Sequence, residues 1–416
     1  MDFLFFHELL SIDSTSGKER KVAEWLAERL PGMFPEANRP VLRVDEVGDG
    51  TLNLLLTWGS PRIVFCSHLD TVPPYIPPTF PDRWPVAAGH DDDTDSFASL
   101  GMTAPCHSEE GSSSCHSEEG DSSCHSEEGE ARRRNLSSSD CLTIRGRGSC
   151  DAKGQVFALV TACQRLAEEG KTDFGLLLLA GEETGSWGAK AFTKTDFRAP
   201  YLVVGEPTEN RMVSASKGTK SFDLKFTGEA FHSGYPQYGV SAVDLFVDFV
   251  NKLKAKDFGL DPVLGETTWN IGLVHSDNPQ NILSPELTCR IYFRTTFVSD
   301  KAVCQWMAEA PALWTCPSKQ ATTSCHSEDE EVEDRRKNLT VTPRGGDTPA
   351  TYWTVEGLPA GPVAFGSDAP HLKNFTHKAI CGPGSITVAH RDDEHVLVAE
   401  LEKAVEQYLE IYQSVQ

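Results

Sequence analysis

Residues 61–70, PRIVFCSHLD, form an apolar run of strand length that ends in a histidine and an aspartate. Two other stretches are built the same way, DFGLLLLAGEE at 173–183 and PYLVVGEPT at 200–208. Their apolar residues are consecutive rather than alternating, as in strands buried on both faces of a mostly parallel sheet. Each runs into acidic or histidine-bearing residues at its C-terminal end, where open α/β sheets place their sites. Between the runs, Val156, Leu159, Val160, Cys163 and Leu166 fall at helical spacing, and Leu401, Val405, Tyr408 and Tyr412 do so near the C-terminus. The fold class read from this alternation is α/β.

From about Ser214 the pattern changes. KGTKSFDLKFTGEAFHSG and NILSPELTCRIYFRTTF alternate apolar with polar residues, which suits antiparallel strands with one open face, and SAVDLFVDFVNKLKA between them reads as a helix. A chain of 416 residues is long for one core. The economical division is a first domain over 1–213 and 346–416, interrupted by a smaller α+β domain over 214–345.

Two segments fit neither domain. Residues 85–140 and 316–338 are poor in large apolar side chains, cannot bury enough surface to offset the entropy of ordering, and are read as disordered low-complexity insertions. Cys-His-Ser-Glu occurs in them four times, starting at Cys106, Cys115, Cys124 and Cys325. Adjacent Cys-His pairs lack the paired spacings that hold structural zinc, so the copies read as passengers.

The formal charge of −23 argues against nucleic acid or an anionic membrane surface as partner. No apolar run approaches the length of a membrane span. The N-terminus lacks the basic and small-residue features of a signal peptide, and eight of the 12 cysteines are scattered through apolar runs. Reduced thiols in a cytoplasmic protein are the reading that follows.

The candidate chemistry lies at the strand ends: His68 and Asp70, Asp151 in GRGSCDAKG, Glu182 and Glu183 in GEET, Glu206 in GEPT, and His390 in VAHRDDEH. Two histidines and several carboxylates suit a borderline divalent metal such as zinc, with oxygen donors enough for two ions. Taken singly, Asp151 equally suits a helix N-cap and His390 a surface histidine.

Seven motifs, SHLDTVP, GRGSCDAKG, GEETGSWGAK, GEPT, GEAFHSGYPQYGVSAVD, FGSDAPHL and GPGSITVAHRDDEHV, occur in this order. In them the chain resembles the family of acetylornithine deacetylase, succinyl-diaminopimelate desuccinylase, aminoacylase and glutamate carboxypeptidase, co-catalytic zinc amidohydrolases with an inserted lid domain. The resemblance implies two Zn2+ per chain, Co2+ substituting, with Asp151 bridging, His68 and Glu206 completing one site, and Glu183 and His390 the other. It implies Glu182 as general base and Asp70 as the carboxylate that orients His68. It implies His232 in the lid as the oxyanion-stabilising histidine, often supplied by the partner of a homodimer, and Asn281 and Arg294 as substrate contacts. The family usually has an acidic residue where Tyr292 stands. It also usually has a helix within Asp347–Pro362, a stretch rich in Gly and Pro here. Glu206 leans towards the deacetylase branch. The substrate implied is a small N-acyl amino acid, acetylornithine before acetyl-lysine, acetyl-citrulline or succinylated diamino acids, with a place in arginine biosynthesis. A dipeptidase or carboxypeptidase, and an inactive binding protein on the same scaffold, are the alternatives.

Overall fold

The structure, a computed structural model, describes residues 1–81, 142–317 and 335–415. The low-complexity segments read at 85–140 and, apart from its ends, at 316–338, with all four Cys-His-Ser-Glu copies, lie outside the described residues.

Six strands form the principal sheet, in the order Val41–Val47, Thr51–Gly59, Asp173–Leu179, Ile63–His68, Ala199–Val204, Phe375–Ile380. The last four are mutually parallel, and the first two add an antiparallel edge. Successive side chains of a strand leave on opposite faces. Ile63 and Phe65 therefore enter one hydrophobic core while Val64 and Cys66 enter another, and Leu176 and Leu178 part in the same way from Leu177 and Leu179. Four helices, Phe3–Ser11, Arg20–Arg29, Lys153–Glu168 and Val398–Ser414, cover the first face, and the short helix Trp187–Phe192 packs on the second. Each fully buried Leu or Phe contributes about 1.5–3 kcal/mol, so the uninterrupted apolar runs are what keep the strands in the middle of the layer.

A second sheet of four antiparallel strands runs Leu339–Gly345, Gly218–Thr227, Glu286–Thr295, Thr268–His275. Here the strands alternate. Phe222, Leu224, Phe226, Leu287, Cys289, Ile291 and Phe293 pack against helices Ala242–Ala255 and Asp300–Leu313, which leaves the intervening residues on an open face. All of these elements fall within 214–345. Where the chain passes from one sheet to the other, Met212–Ser216 pairs with Ala350–Thr351 and Ala360–Val363. The stretch Asp347–Pro362 thus holds short strand segments where a helix is usual in the family, as its Gly and Pro content favours.

Among the described residues, no helix is long and apolar enough to cross a membrane. Six cysteines there are free, and all but Cys304 are buried.

Candidate metal centre

Parallel strands in register bring their C-terminal ends to one edge of the sheet. His68, the last residue of its strand, lies opposite Leu179. Cys66 pairs with Val204, and Gly205 N–H donates to the Cys66 carbonyl at 2.7 Å. The residues just beyond these ends, Asp70, Glu182, Glu183 and Glu206, are therefore neighbours although the sequence scatters them. Gly181 opens the turn into the two glutamates with φ +69°, and a Cβ there would overlap the Trp187 indole, so glycine is required.

Asp151 is the centre of the cluster. Its Oδ1 is 3.1 Å from His68 Nε2 and its Oδ2 is 3.3 Å from His390 Nε2. The same His390 nitrogen is 3.0 Å from Glu183 Oε1. Asp151 caps nothing: helix Lys153–Glu168 begins after Ala152, without a side-chain cap. His390 has left-handed backbone, φ +64°, a conformation that costs a non-glycine residue energy and clusters at functional sites. His68, Asp151 and Glu183 each offer a ligand atom within 4.8 Å of the other two.

The second set of contacts fixes this arrangement. His68 Nδ1 lies 2.9 Å from the Asp70 carbonyl, which can only accept, so that nitrogen carries a proton and Nε2 faces the cluster. The Asp70 carboxylate, 3.5 Å from the same ring, accepts the backbone N–H of Glu182 at 3.0 Å, that of Glu183 at 3.1 Å, and the Ser16 hydroxyl at 3.1 Å. It holds the turn of the two glutamates as well as the imidazole. On the other side, Glu394 Oε1 accepts N–H groups from Gly148, Cys150 and Asp151, at 2.9, 3.1 and 3.1 Å, while its Oε2 is 2.6 Å from Arg147 Nη1. This buried carboxylate ties the loop of His390 to the loop of Asp151.

Electrostatically the cluster is an excess of acid removed from water. Burial pushes Glu182 and Glu206 well above the usual carboxylate range, and it lifts Asp368 to about 6. Burial also acts to raise Asp151, but hydrogen bonds from His390 and His68 outweigh it and hold that carboxyl below its usual range. Hydrogen bonds to Asp151 and Glu183 raise His390 to about 10. Buried polar atoms are normally paired, yet Glu206 Oε1 and Asp368 Oδ1 have no hydrogen-bond partner among the described residues. Orphaned carboxylate oxygens beside two imidazoles, with negative charge in surplus, fit a divalent cation.

The cluster lies in a cleft of about 920 Å3 that reaches the open face of the second sheet. Asp151, Glu182, Glu183, Glu206 and His390 line it, as does Arg294, half-buried. The Arg294 guanidinium stacks 4.9 Å from the Tyr292 ring and has no carboxylate partner among the described residues. His232 and Asn281 sit elsewhere: both are exposed, on loops joined by Ser233 N–H donating to the Asn281 carbonyl at 2.9 Å, and neither lines the cleft. Sequence reasoning gave no role to Ser16, Arg147, Asp368 or Glu394. All but Ser16 lie within the ordered motifs given above, but the Arg147–Glu394 pair joins residues 247 positions apart, so neither local stretch signals the other.

Residues 137–414 match the model of peptidase family M20/M25/M40. A probable carboxypeptidase of Aspergillus terreus is 29% identical over 443 aligned positions, covering 99% of this chain and 86% of the relative. One from Aspergillus niger is 28% identical, covering 99% and 89%. Among solved structures, a tripeptidase from Staphylococcus aureus superposes with a TM-score of 0.67 at 18% identity, covering 99% of this chain and 97% of the other. An M20 family metallo-carboxypeptidase from Sulfolobus solfataricus gives 0.61 at 13% identity, covering 100% and 99%. With the family match spanning most of the chain and its fold shared with these structures, the protein belongs to peptidase family M20/M25/M40, the metallohydrolases of amide bonds.

Proposed function

We propose that the protein is a zinc-dependent hydrolase that cleaves the amide bond next to a free C-terminal carboxylate, in short peptides and N-acyl amino acids. The observation that carries this reading is Asp151 with one oxygen turned to His68 and the other to His390, in a cleft that Glu182 also lines. His68, Asp151 and Glu206 would hold one Zn2+, and Asp151, Glu183 and His390 a second, with Co2+ suited to the same donors. Bound there, the ions would polarise the amide carbonyl and make a water acidic enough to attack at neutral pH. Glu182 accepts the proton that this water gives up. It holds that proton and delivers it to the amide nitrogen as the C–N bond breaks, so that the leaving group departs as a neutral amine. Asp70 keeps Glu182 aimed by holding its backbone N–H. Arg294 receives the substrate carboxylate, for which its planar donor fork is suited.

A homodimer through the lid, residues 214–345, is part of the proposal. Strand Thr268–His275 ends the order of the second sheet, and its Leu273 and Val274 are 71% and 53% exposed. His232 and Asn281, which do not line their own cleft, would serve the cleft of a second copy. Light scattering on the zinc-loaded chain tests the association.

Acetylornithine deacetylation, serving arginine biosynthesis, is the narrower reading that Glu206 favours. The relatives described above are named carboxypeptidases and peptidases, so acetylornithine stands as one substrate among several. The test is amine release by the zinc-loaded protein from acetylornithine, succinyl-diaminopimelate, other N-acyl amino acids and neutral dipeptides, each with a free or an amidated C-terminus. Turnover that is abolished by chelator and restored by zinc is expected, with the amidated forms slower by at least about tenfold. Silence across the whole panel sinks the proposal.

A further inference from the structure

The roof of the cleft is basic, against the strongly acidic average of the chain. Along strand Glu286–Thr295, Arg290, Tyr292 and Arg294 alternate onto the open face and line the cleft with Arg344 of the neighbouring region. Arg294 faces the floor near Gly366 and, as described, has no carboxylate partner among the described residues. Arg290 is paired: its Nε is 2.7 Å and its Nη2 3.3 Å from the two oxygens of Asp223. Arg344 Nη1 lies 3.5 Å from Asp223 Oδ2 as well. One carboxylate therefore serves two guanidiniums, which leaves a unit of positive charge facing the cleft at a second place, distinct from Arg294.

We propose that this place is a second anion subsite, and that the preferred substrates are short peptides with an acidic side chain on the acyl side of the scissile bond. This rests on the amide-hydrolase reading above and adds the substrate class. With the α-carboxylate on Arg294, a second carboxylate between Arg290 and Arg344 brings the roof to charge balance, and the guanidinium fork gives it a paired geometry. Spacing sets which acid can reach. Arg290 and Arg294 are four residues apart on one strand, about 13 Å between their Cα atoms. A dipeptide backbone extends only about 7 Å, so a side-chain carboxylate on the acyl side of the scissile amide is the one that comes nearest to Arg290 and Arg344, whose long side chains close the remaining distance. Tyr292, between the two arginines on the strand, adds no negative charge to oppose it.

The test compares Glu-Ala with Gln-Ala, isosteric peptides that differ in that one charge, on the zinc-loaded full chain. A kcat/KM ratio of about ten in favour of Glu-Ala is expected, carried mostly by KM and shrinking as salt is raised, because the subsite is open to solvent. Arg344→Gln brings the ratio towards one, and Arg344→Glu inverts it. Lys225→Gln removes a cation of the same sheet that is paired with Glu286 outside the cleft, and it leaves the ratio unchanged. Melting curves confirm that the variants fold, as Arg344 is 53% exposed. Equal turnover of the two peptides, or a ratio unmoved by Arg344→Gln, overturns the subsite while the amide-hydrolase reading stands. Silence on both peptides and on the wider panel overturns that reading and this one with it.

Discussion

The side chains at the floor of the cleft come from positions as far apart as 68 and 394, whereas those of its roof come from two strands of one sheet that both pair with Gly218–Thr227. Most of the floor is buried: His68, Asp70, Asp151, Glu206 and Glu394 are all 6% exposed or less, Glu182 and Glu183 are partly buried, and His390 stands at the open side. His68, Asp70, Asp151 and Glu394 are each held by hydrogen bonds from a loop other than their own or by a neighbour in the cluster, and Glu206 keeps an unpartnered oxygen among the described residues. The roof is half open; Arg290, Tyr292 and Arg294 are spaced along one strand, and Arg344 sits at an irregularity of the register on another. A floor of this kind fixes geometry for chemistry and tolerates little change. The roof can exchange one side chain at a time, since alternate positions on a half-exposed strand are independent of the core beneath. Under the function and subsite proposed above, the reaction belongs to the part of the molecule assembled at long range and the substrate preference to the more open sheet.

The sharpest way to break this contrast is to replace a floor residue and find activity kept. Glu182→Gln preserves the shape of the side chain and removes its ability to take a proton. We expect kcat to fall by about 10²–10⁴, with zinc content unchanged by metal analysis. Stability is expected to be unchanged or raised, because the wild-type carboxylate is buried at a cost. A variant that keeps a tenth of the wild-type kcat would move the general base to another residue.

Glu394→Gln probes the support of the floor. The variant keeps an oxygen for the three N–H groups of the Asp151 loop but leaves the Arg147 guanidinium, 1% exposed, without its counter-charge. Breaking a buried pair by removing one partner costs about 3–5 kcal/mol, a large melting shift. With the Asp151 and His390 loops no longer clamped, zinc affinity measured by chelator competition on the folded protein is expected to weaken about 10–100-fold. Unchanged affinity in a destabilised protein would show that Glu394 serves the fold and not the site.

The same contrast accounts for what could be read in advance. Three of the four parallel strands were legible because burial on both faces demands unbroken apolar runs such as Ile63–Cys66 and Leu176–Leu179, whereas Phe375–Ile380, at the sheet edge with exposed positions, escaped. Two strands of the second sheet were legible because one open face imposes alternation, as in Glu286–Thr295, whereas its edge strands Thr268–His275 and Leu339–Gly345, with mostly exposed positions, escaped. Strand Val41–Val47 escaped, being an edge strand with mixed exposure. The short strands at 350–351 and 360–363 escaped because partners far away in sequence define them. At the site, His68, Asp151, Glu183 and His390 were legible from residue type and from motif order, and the structure brings them together. The double duty of Asp70 and the grip of Glu394 were not, because both act through backbone N–H groups, which carry no residue identity.

The smallest effect is expected where the floor is interrupted in sequence. Residues 82–141 separate His68 and Asp70 from Asp151, so a floor that depends on long-range assembly is sensitive to them only if they hold its parts at the wrong distance or contribute side chains to it. Their flanks are already joined. Thr79 N–H donates to the Arg145 carbonyl at 2.9 Å and Arg145 N–H donates to the Thr79 carbonyl at 3.0 Å, while Leu142 accepts from Val398 N–H at 2.9 Å. With the ends pinned, the length of chain between them enters only through closure entropy, roughly 0.6 kcal/mol for each doubling. Replacing 82–141 by a short Gly-Gly turn is therefore expected to leave kcat/KM within about threefold and to stabilise the protein by about 2 kcal/mol at most, read as a small rise in melting temperature. A hundredfold loss of activity with an intact melting transition would place side chains of that segment in the site, and the floor would no longer be complete in the buried residues described above.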